Sequence, residues 1–558
     1  MLTDNVASLA DIKAKKKGES GSAEAPLDPR PVITLREGEW RNRVADEAEA
    51  ALIASGEPIY RQGPRAVRII WDKIKVSGGG NGDVLRLSKA SDAHILECFE
   101  RAARFEKWDG RSESWVTANC PKDTAAAWLA REGDWKIPFL LGVITAPTIR
   151  PDGSVFDIPG YDEATGLVYE PAGWKFPSQI EQPTREDALA ALTILKEPIA
   201  EFPFVNGANE SVALSGMITA VIRRAMPSAP LHAFTAPTAG SGKSMLVDVA
   251  AIIATGERAA VTTVGNDKNA ATELDKQLIG AMLAGNAVVS IDNLEGPLNS
   301  SVLCSVLTQT RVSLRKLGAS DLVDVPITTS FFATSNNLIV GGDLTRRVLA
   351  GKLDPGVERP ELRAFPFSPT TMAKARRGEL VKAVLTIVRA WLMSGEKPSK
   401  TVLGSFEEWS NFVREPLIWL GCDDPVNVIE EVRLSDPRLA RLGTVTEAWW
   451  AVFGEEEKTV AEVVAAAISK TEEYGPDSRW ANPELREAFL AAASGGEHGG
   501  INNERLGWWL RKNAGRVVGD LHFERVDGYK SPKWKCVGRR GSGGLVARDG
   551  WNSDDIPF

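Results

Sequence analysis

Apolar and polar positions change their spacing along the chain, and each change predicts a different kind of structure. Between residues 231 and 333, short apolar runs recur: Leu231 to Thr235, Val261 to Val264, Ala287 to Ile291 and Thr328 to Ala333. Runs of this length fit buried strands. Between them Met245 to Ile253, Ala270 to Leu283 and Ser300 to Gln309 carry the spacing of helices. Strands separated by helices predict an α/β core, a parallel sheet with helices on both faces. Arg311 to Val325 breaks that rhythm and predicts a strand pair turning near Gly318-Ala319-Ser320.

The flanks follow other patterns. Residues 1–30 are polar, with Lys, Gly, Ser and Pro, and predict a flexible tail. Residues 31–178 predict one α+β domain. Its helices are expected at Trp40 to Ile53, Ser91 to Phe105 and Lys122 to Ala130. Its strands are expected at Ile59-Tyr60 and Ala66 to Trp71, around a Gly63-Pro64 turn. Residues 179–230 predict a helical collar, with a helix start at Thr184-Arg185-Glu186-Asp187 and a second helix over Ser211 to Arg224. The core is expected over 231–368. A helical lid over 369–470 follows, with Trp391, Trp409 and Trp419 inside it. Residues 471–545 predict a winged helix. Helices at Pro483 to Ala492 and Asn503 to Asn513 precede short strands at Arg516 to Val518, Leu521 to Val526 and Lys533 to Val537. Residues 546–558 predict a tail.

Composition narrows the classes. With 558 residues, 43% hydrophobic and 25% charged, the chain has the make-up of a multidomain globular protein. Its five cysteines are scattered without a C-x-x-C pair, and it has only four histidines, which argues against structural zinc. No run of about 18 apolar residues predicts a membrane span. The lysines at 13 and 15–17 precede no apolar block. A reducing, cytoplasmic location is the expectation. The net charge of −8 leaves any nucleic-acid contact to local patches. One such patch spans 479–545, with twelve Lys/Arg against seven Asp/Glu. There Arg505, Arg511, Lys512, Arg516, Lys530, Lys533 and Lys535 are candidate phosphate contacts.

The candidate chemistry centres on Pro237-Thr238-Ala239-Gly240-Ser241-Gly242-Lys243-Ser244, between an expected strand and an expected helix. That order is the phosphate-binding loop: backbone N–H groups turn inward, and the helix N-terminus adds its positive end. Lys243 can reach the β- and γ-phosphates, and the Ser244 hydroxyl can hold Mg²⁺. Pro237 stands where the pattern has its first glycine, which stiffens that corner and removes one N–H. Asp292, after the run Ala287 to Ile291, is placed to hold the metal with Ser244. Asn293 stands where a catalytic glutamate would be expected. Glu295 or Glu273 could supply that carboxylate, or Asn293 could only orient the attacking water. Asn336 is placed to touch the γ-phosphate and the water, with Asn337 its rival. In Asp343-Leu344-Thr345-Arg346-Arg347, Arg347 and then Arg346 are candidates for a cation supplied by a neighbouring subunit. Arg414, in the lid, is a further candidate to approach nucleotide.

Taken together, P-T-A-G-S-G-K-S, V-V-S-I-D-N, F-F-A-T-S-N-N and D-L-T-R-R-V-L resemble the core of superfamily 3 helicases, with an AAA+-like P-loop ATPase fold. More closely, they look like the replicative ATPases of phages, plasmids and integrated elements related to the poxvirus-type primase-helicase. The likeness covers about residues 205–360. It implies a hexameric homo-oligomer that hydrolyses ATP with Mg²⁺ at subunit interfaces and draws single-stranded DNA through its pore. It also implies pore-hairpin residues, which fall on Arg315 and Lys316. The expected partners are single-stranded DNA, origin duplex DNA and replication proteins of the element or host. Pro237 and Asn293 depart from the pattern. They leave open an initiator or helicase loader, and a DNA-binding protein with a vestigial ATPase.

Overall fold

The computed structural model describes residues 28–538 apart from 37, 39–40, 77–79, 264–268, 316–321, 364–365, 399, 435, 471–478, 496–499 and 528–530. Two compact units divide the chain, Met1–Leu141 and Gly142–Phe558.

In the first unit helices Arg41–Ser55, Asp92–Ala102 and Lys122–Leu129 bury Ala48, Leu52, Phe99 and Trp128 in one core. Trp135 also lies there and donates from its indole N–H to the Trp128 carbonyl at 2.7 Å. The helix expected to run to Phe105 ends at Ala102, because Ala103 turns to an extended backbone. Phe105 instead lies on the strand Arg104–Asp109, which pairs in parallel with Val32–Leu35.

The first compact unit ends at Leu141. Residues 142–178 are tied to the second unit by specific bonds. Thr148 donates to the Val221 carbonyl and Thr145 to the Thr255 carbonyl, at 3.0 and 2.9 Å. Arg377, fully buried, donates to the carbonyls of Ile253 and Ala254, at 3.1 and 3.0 Å, while its guanidinium sits over Trp174. Those carbonyls belong to the last turn of Lys243–Thr255 and have no partner within that helix. One arginine therefore ties the 174 segment and helix Arg377–Ser394 to the C-terminal end of helix Lys243–Thr255.

The second unit is built on a five-stranded parallel sheet in the order Ala260–Thr263, Val288–Leu294, Ser330–Asn336, Leu231–Ala236, Val348–Lys352. Side chains alternate between its faces. Phe234, Ala236, Val288 and Phe332 pack beneath Lys243–Thr255 and Gly207–Ile222. Leu231, Ala233, Val289, Phe331 and Ala333 pack against Ala270–Leu283. Helix Arg185–Lys196 opens with a capping box between Thr184 and Asp187. Against it lies Arg377–Ser394, whose Leu380, Val384, Ile387 and Trp391 are buried. The next lid helix passes through a π turn at Ser410–Arg414.

Leu442, Val445 and Trp449, expected in the lid, share a core with Phe489, Leu506 and Phe523. Helix Pro437–Phe453 packs on Pro483–Ala493, and Trp449 lies edge-on to Phe523 at 5.2 Å and Phe489 at 6.2 Å. Val460–Ala467 and Asn503–Asn513 complete the described helices of this C-terminal module. Strands Lys458–Thr459, Lys533–Gly538 and Leu521–Val526 form an antiparallel sheet in that order. Arg516 and Val517 are not strand; Val518 makes one bridge to Leu521 across the turn at Gly519 and Asp520. No described helix is long and apolar enough to cross a membrane.

Candidate nucleotide site

The strand Leu231–Ala236 is buried throughout and delivers the chain to the loop at its carboxyl end. Gly240 and Gly242 have φ of 75° and 88°, which glycine adopts without strain. Gly242 also lies so close to Phe202 that an added Cβ would meet its ring at 2.8 Å. The loop closes on itself: Ser241 Oγ donates to the Thr238 carbonyl at 2.8 Å. Gly242→Ala is therefore expected to open the loop. ATP affinity should fall at least tenfold while thermal melting moves by no more than a few degrees, as calorimetry would show. Unchanged affinity would mean that the loop tolerates a Cβ there.

Alternation then assembles the rest. Asp292 lies on the same face of its strand as Val288, and Thr334 and Asn336 on the same face as Phe332. That is the face covered by the helix that begins at Lys243. Lys243 Nζ donates to the Asn336 side-chain oxygen at 2.9 Å and to the Thr238 carbonyl at 3.0 Å. Ser244 Oγ donates to Asp292 Oδ1 at 2.7 Å. Burial lowers the Lys243 pKa below the ordinary lysine value, against the opposing pull of Asp292. An ammonium in that condition gains from an anionic partner.

Thr334 is a site residue absent from the motif-based set. Its hydroxyl donates to Asp292 Oδ1 at 2.5 Å and accepts from the Asn293 N–H at 3.0 Å. It is buried at the point where the strand register shifts between Ile291 and Leu294, and Asn293 takes a φ of 51°. Thr334 thus fixes both the carboxylate and the bulge that turns Asn293 outward. Thr334→Val keeps the shape but removes both bonds. Loss of such a supporting partner typically costs 10–100-fold in metal affinity or activity. Hydrolysis by Thr334→Val should fall by about that range and Thr334→Ser should restore most of it; equal rates for Val and wild type would refute the role.

The other candidates fall as follows. Asn337 has a φ of 51° and donates its N–H to the Ala236 carbonyl, so its backbone ties the loop strand while Asn336 faces Lys243. Glu273 pairs with Lys276 on its own helix at 3.3 Å. Arg414 is buried and forks onto Asp424 at 2.9 and 2.6 Å, which makes it an internal lid contact. Arg347 donates to the Cys304 carbonyl and its side chain is 12% exposed; that of Arg346 is 61% exposed. Arg311–Arg315 and Leu322–Pro326 pair antiparallel, as the strand pair was expected to, and the residues joining them lie outside the described residues. Lys316 lies outside the described residues, as does Lys530, and for Arg315 only the backbone is described.

In the C-terminal module Arg505, Arg511 and Arg516 are exposed. Arg505 donates to the Ser494 carbonyl at 2.6 Å and Arg511 to the Gly507 carbonyl at 3.3 Å. Lys512 lies over the Trp508 ring. Lys535 pairs with Glu524 at 3.1 Å, and Lys533 is half-buried on the same strand. Arg516 and Arg346 line one open cleft between the core and this module.

No protein-family model and no curated protein matches the chain. Solved structures similar to it include the apo C-terminal region of NrS-1, at 11% identity over 72% of this chain and 77% of that one, with a TM-score of 0.31. A second structure of that region gives 13% identity over 72% and 78%, with a TM-score of 0.35. JCV helicase bound to a small molecule is similar at 13% identity over 46% and 69%, with a TM-score of 0.20.

Proposed function

We propose that this protein is a P-loop ATPase that works as a ring DNA helicase in the replication of a phage, plasmid or integrated element. The support is the meeting of Lys243, bonded to Asn336, and Ser244, bonded to Asp292, at the carboxyl ends of three adjacent parallel strands. In such sheets ligands bind outside those ends. A triphosphate there would lie along the loop backbone and the first turn of Lys243–Thr255.

The donors at the site suit Mg²⁺. Ser244 and Asp292 offer hard oxygen ligands, already held together by a hydrogen bond. Among the described residues no group of three or more His, Cys, Asp or Glu could hold a metal, so the cation would be shared with phosphate oxygens and water, as Mg²⁺ usually is. When bound, it neutralises charge on the β- and γ-phosphates. The chain's own groups do the rest. Lys243 exchanges the Thr238 carbonyl for phosphate oxygen. Asn336, already beside Lys243, orients the γ-phosphate. Asn293, turned outward on its bulge, orients the attacking water. Arg346 reaches the site of a neighbouring copy in a homo-oligomeric ring of six. The hairpin at Arg315 and Lys316 grips single-stranded DNA, and the C-terminal module, read as a winged helix, contacts duplex DNA.

The test is ATP hydrolysis with and without single-stranded DNA, native mass with ATP, and strand displacement on a forked duplex. DNA-stimulated hydrolysis, a hexamer and displacement support the proposal. Failure to bind ATP sinks it. Asn293 in place of a carboxylate favours a second reading, an initiator or loader. ATP-dependent duplex opening without processive unwinding would select that one.

A further inference from the structure

Helix Asn503–Asn513 carries two adjacent tryptophans with opposite fates. It buries Leu506 and Leu510, and Trp509 turns inward edge-on to Phe523 at 6.5 Å. Trp508 turns outward and stays 59% exposed. An exposed indole presents a flat apolar face together with a polar N–H. Its neighbours on the outer face are charged. Arg505, Arg511 and Lys512 are exposed there beside one acidic residue, Glu504. The Lys512 ammonium sits 4.9 Å from the Trp508 ring centroid. Trp480 differs: cations from Lys470 and Arg486 lie over its ring at 5.3 and 4.3 Å.

We propose that Trp508 is a stacking platform for an unpaired base of single-stranded DNA, flanked by the cations that hold the adjoining phosphates. This rests on the DNA-binding role proposed for the C-terminal module and adds the class of ligand. Charge selects nucleic acid over a protein partner: over 479–545 there are twelve Lys/Arg against seven Asp/Glu. Ring geometry selects the single strand. Duplex DNA shows a protein the edges of its bases in the grooves, whereas an unpaired base offers its face. With the side chain 59% exposed and one cation over the ring, exposed indole surface is left on which a base can stack, and such stacking is indifferent to sequence.

The test uses the full chain and a single-stranded oligonucleotide carrying 5-iodouracil, photocross-linked and mapped by mass spectrometry. The expected adduct lies on the peptide containing Trp508. In parallel, Trp508→Ala should weaken binding to oligo-dT roughly 5–100-fold, Trp508→Phe should keep most of the affinity, and binding to a duplex of equal length should not change. An oligonucleotide with abasic sites should bind wild type and Trp508→Ala alike. If Arg511→Ala with Lys512→Ala weakens binding while Trp508→Ala does not, and adducts fall elsewhere, the platform is refuted and the DNA-binding role of the module survives. If wild type yields no adduct and binds neither DNA, both fall.

Discussion

Lys243→Ala should reduce ATP hydrolysis by at least about 10²–10³-fold, the loss seen when one preorganised donor to a developing negative charge is removed. The figure is a lower bound here, because Lys243 carries a full charge into a partly desolvated site. Its effect on folding should be small. The ammonium makes two hydrogen bonds, to the Thr238 carbonyl and to Asn336, and Thr238 also accepts from Ser241. The helix itself starts at Gly242 in a left-handed turn that does not depend on the lysine. Burial already disfavours the charged lysine, so the substitution removes a group held at some expense in the absence of nucleotide. The measurements are steady-state hydrolysis, nucleotide binding by calorimetry and thermal melting. A melting temperature near wild type with hydrolysis at background is the expected result. Hydrolysis near the wild-type rate would remove the phosphate loop from the chemistry.

How much of this site was legible before any coordinates depends on what each residue must do. The loop is legible because its geometry restricts composition: Gly240 and Gly242 need positive φ, and only a lysine and a hydroxyl suit the next two places. Asp292 and Asn336 are legible as polar residues that end apolar runs. Thr334 is not. A threonine inside F-F-A-T-S-N is ordinary for a strand, and its role appears only when the neighbouring strand bulges beside it. The two arginines differ by one position, and only the short 3₁₀ helix Gly342–Arg346 decides which is tied to Cys304. Residues 142–178 consist of short strands and turns, and their allegiance rests on bonds to residues more than a hundred positions away for Thr145 to Thr255 and for Thr145 to Arg377. Helix Pro437–Phe453 has the pattern of the lid helices before it; Trp449, packed on Phe489 and Phe523, assigns it to the C-terminal core.

Arg346→Ala should lower hydrolysis about 10³–10⁵-fold, the contribution of an arginine supplied to a phosphoryl-transfer site. Strand direction separates Arg346 from its own subunit's loop, so the proposed role is one between subunits. Arg346 precedes Val348–Lys352, which runs parallel to Leu231–Ala236 with Leu231 opposite Val348 and Thr235 opposite Lys352. The phosphate loop leaves from the Lys352 end. Five residues of strand, at about 3.3 Å each, separate Arg346 from its own loop, about 16 Å that the side chain does not span. The variant alone should be inactive, as should Lys243→Ala. Mixed before assembly, the two should regain part of the activity, because some interfaces then pair an intact Lys243 with an intact Arg346. A residue acting on its own subunit's nucleotide gives no such recovery. Arg347→Ala should behave differently. It leaves the Cys304 carbonyl without that donor, so the expected loss is about 1–3 kcal/mol of stability, read as a lower melting temperature. If Arg347→Ala abolished hydrolysis at an unchanged melting temperature while Arg346→Ala stayed active, the roles would be reversed. The exposed guanidinium would then be a surface partner of Asp343, 3.6 Å away.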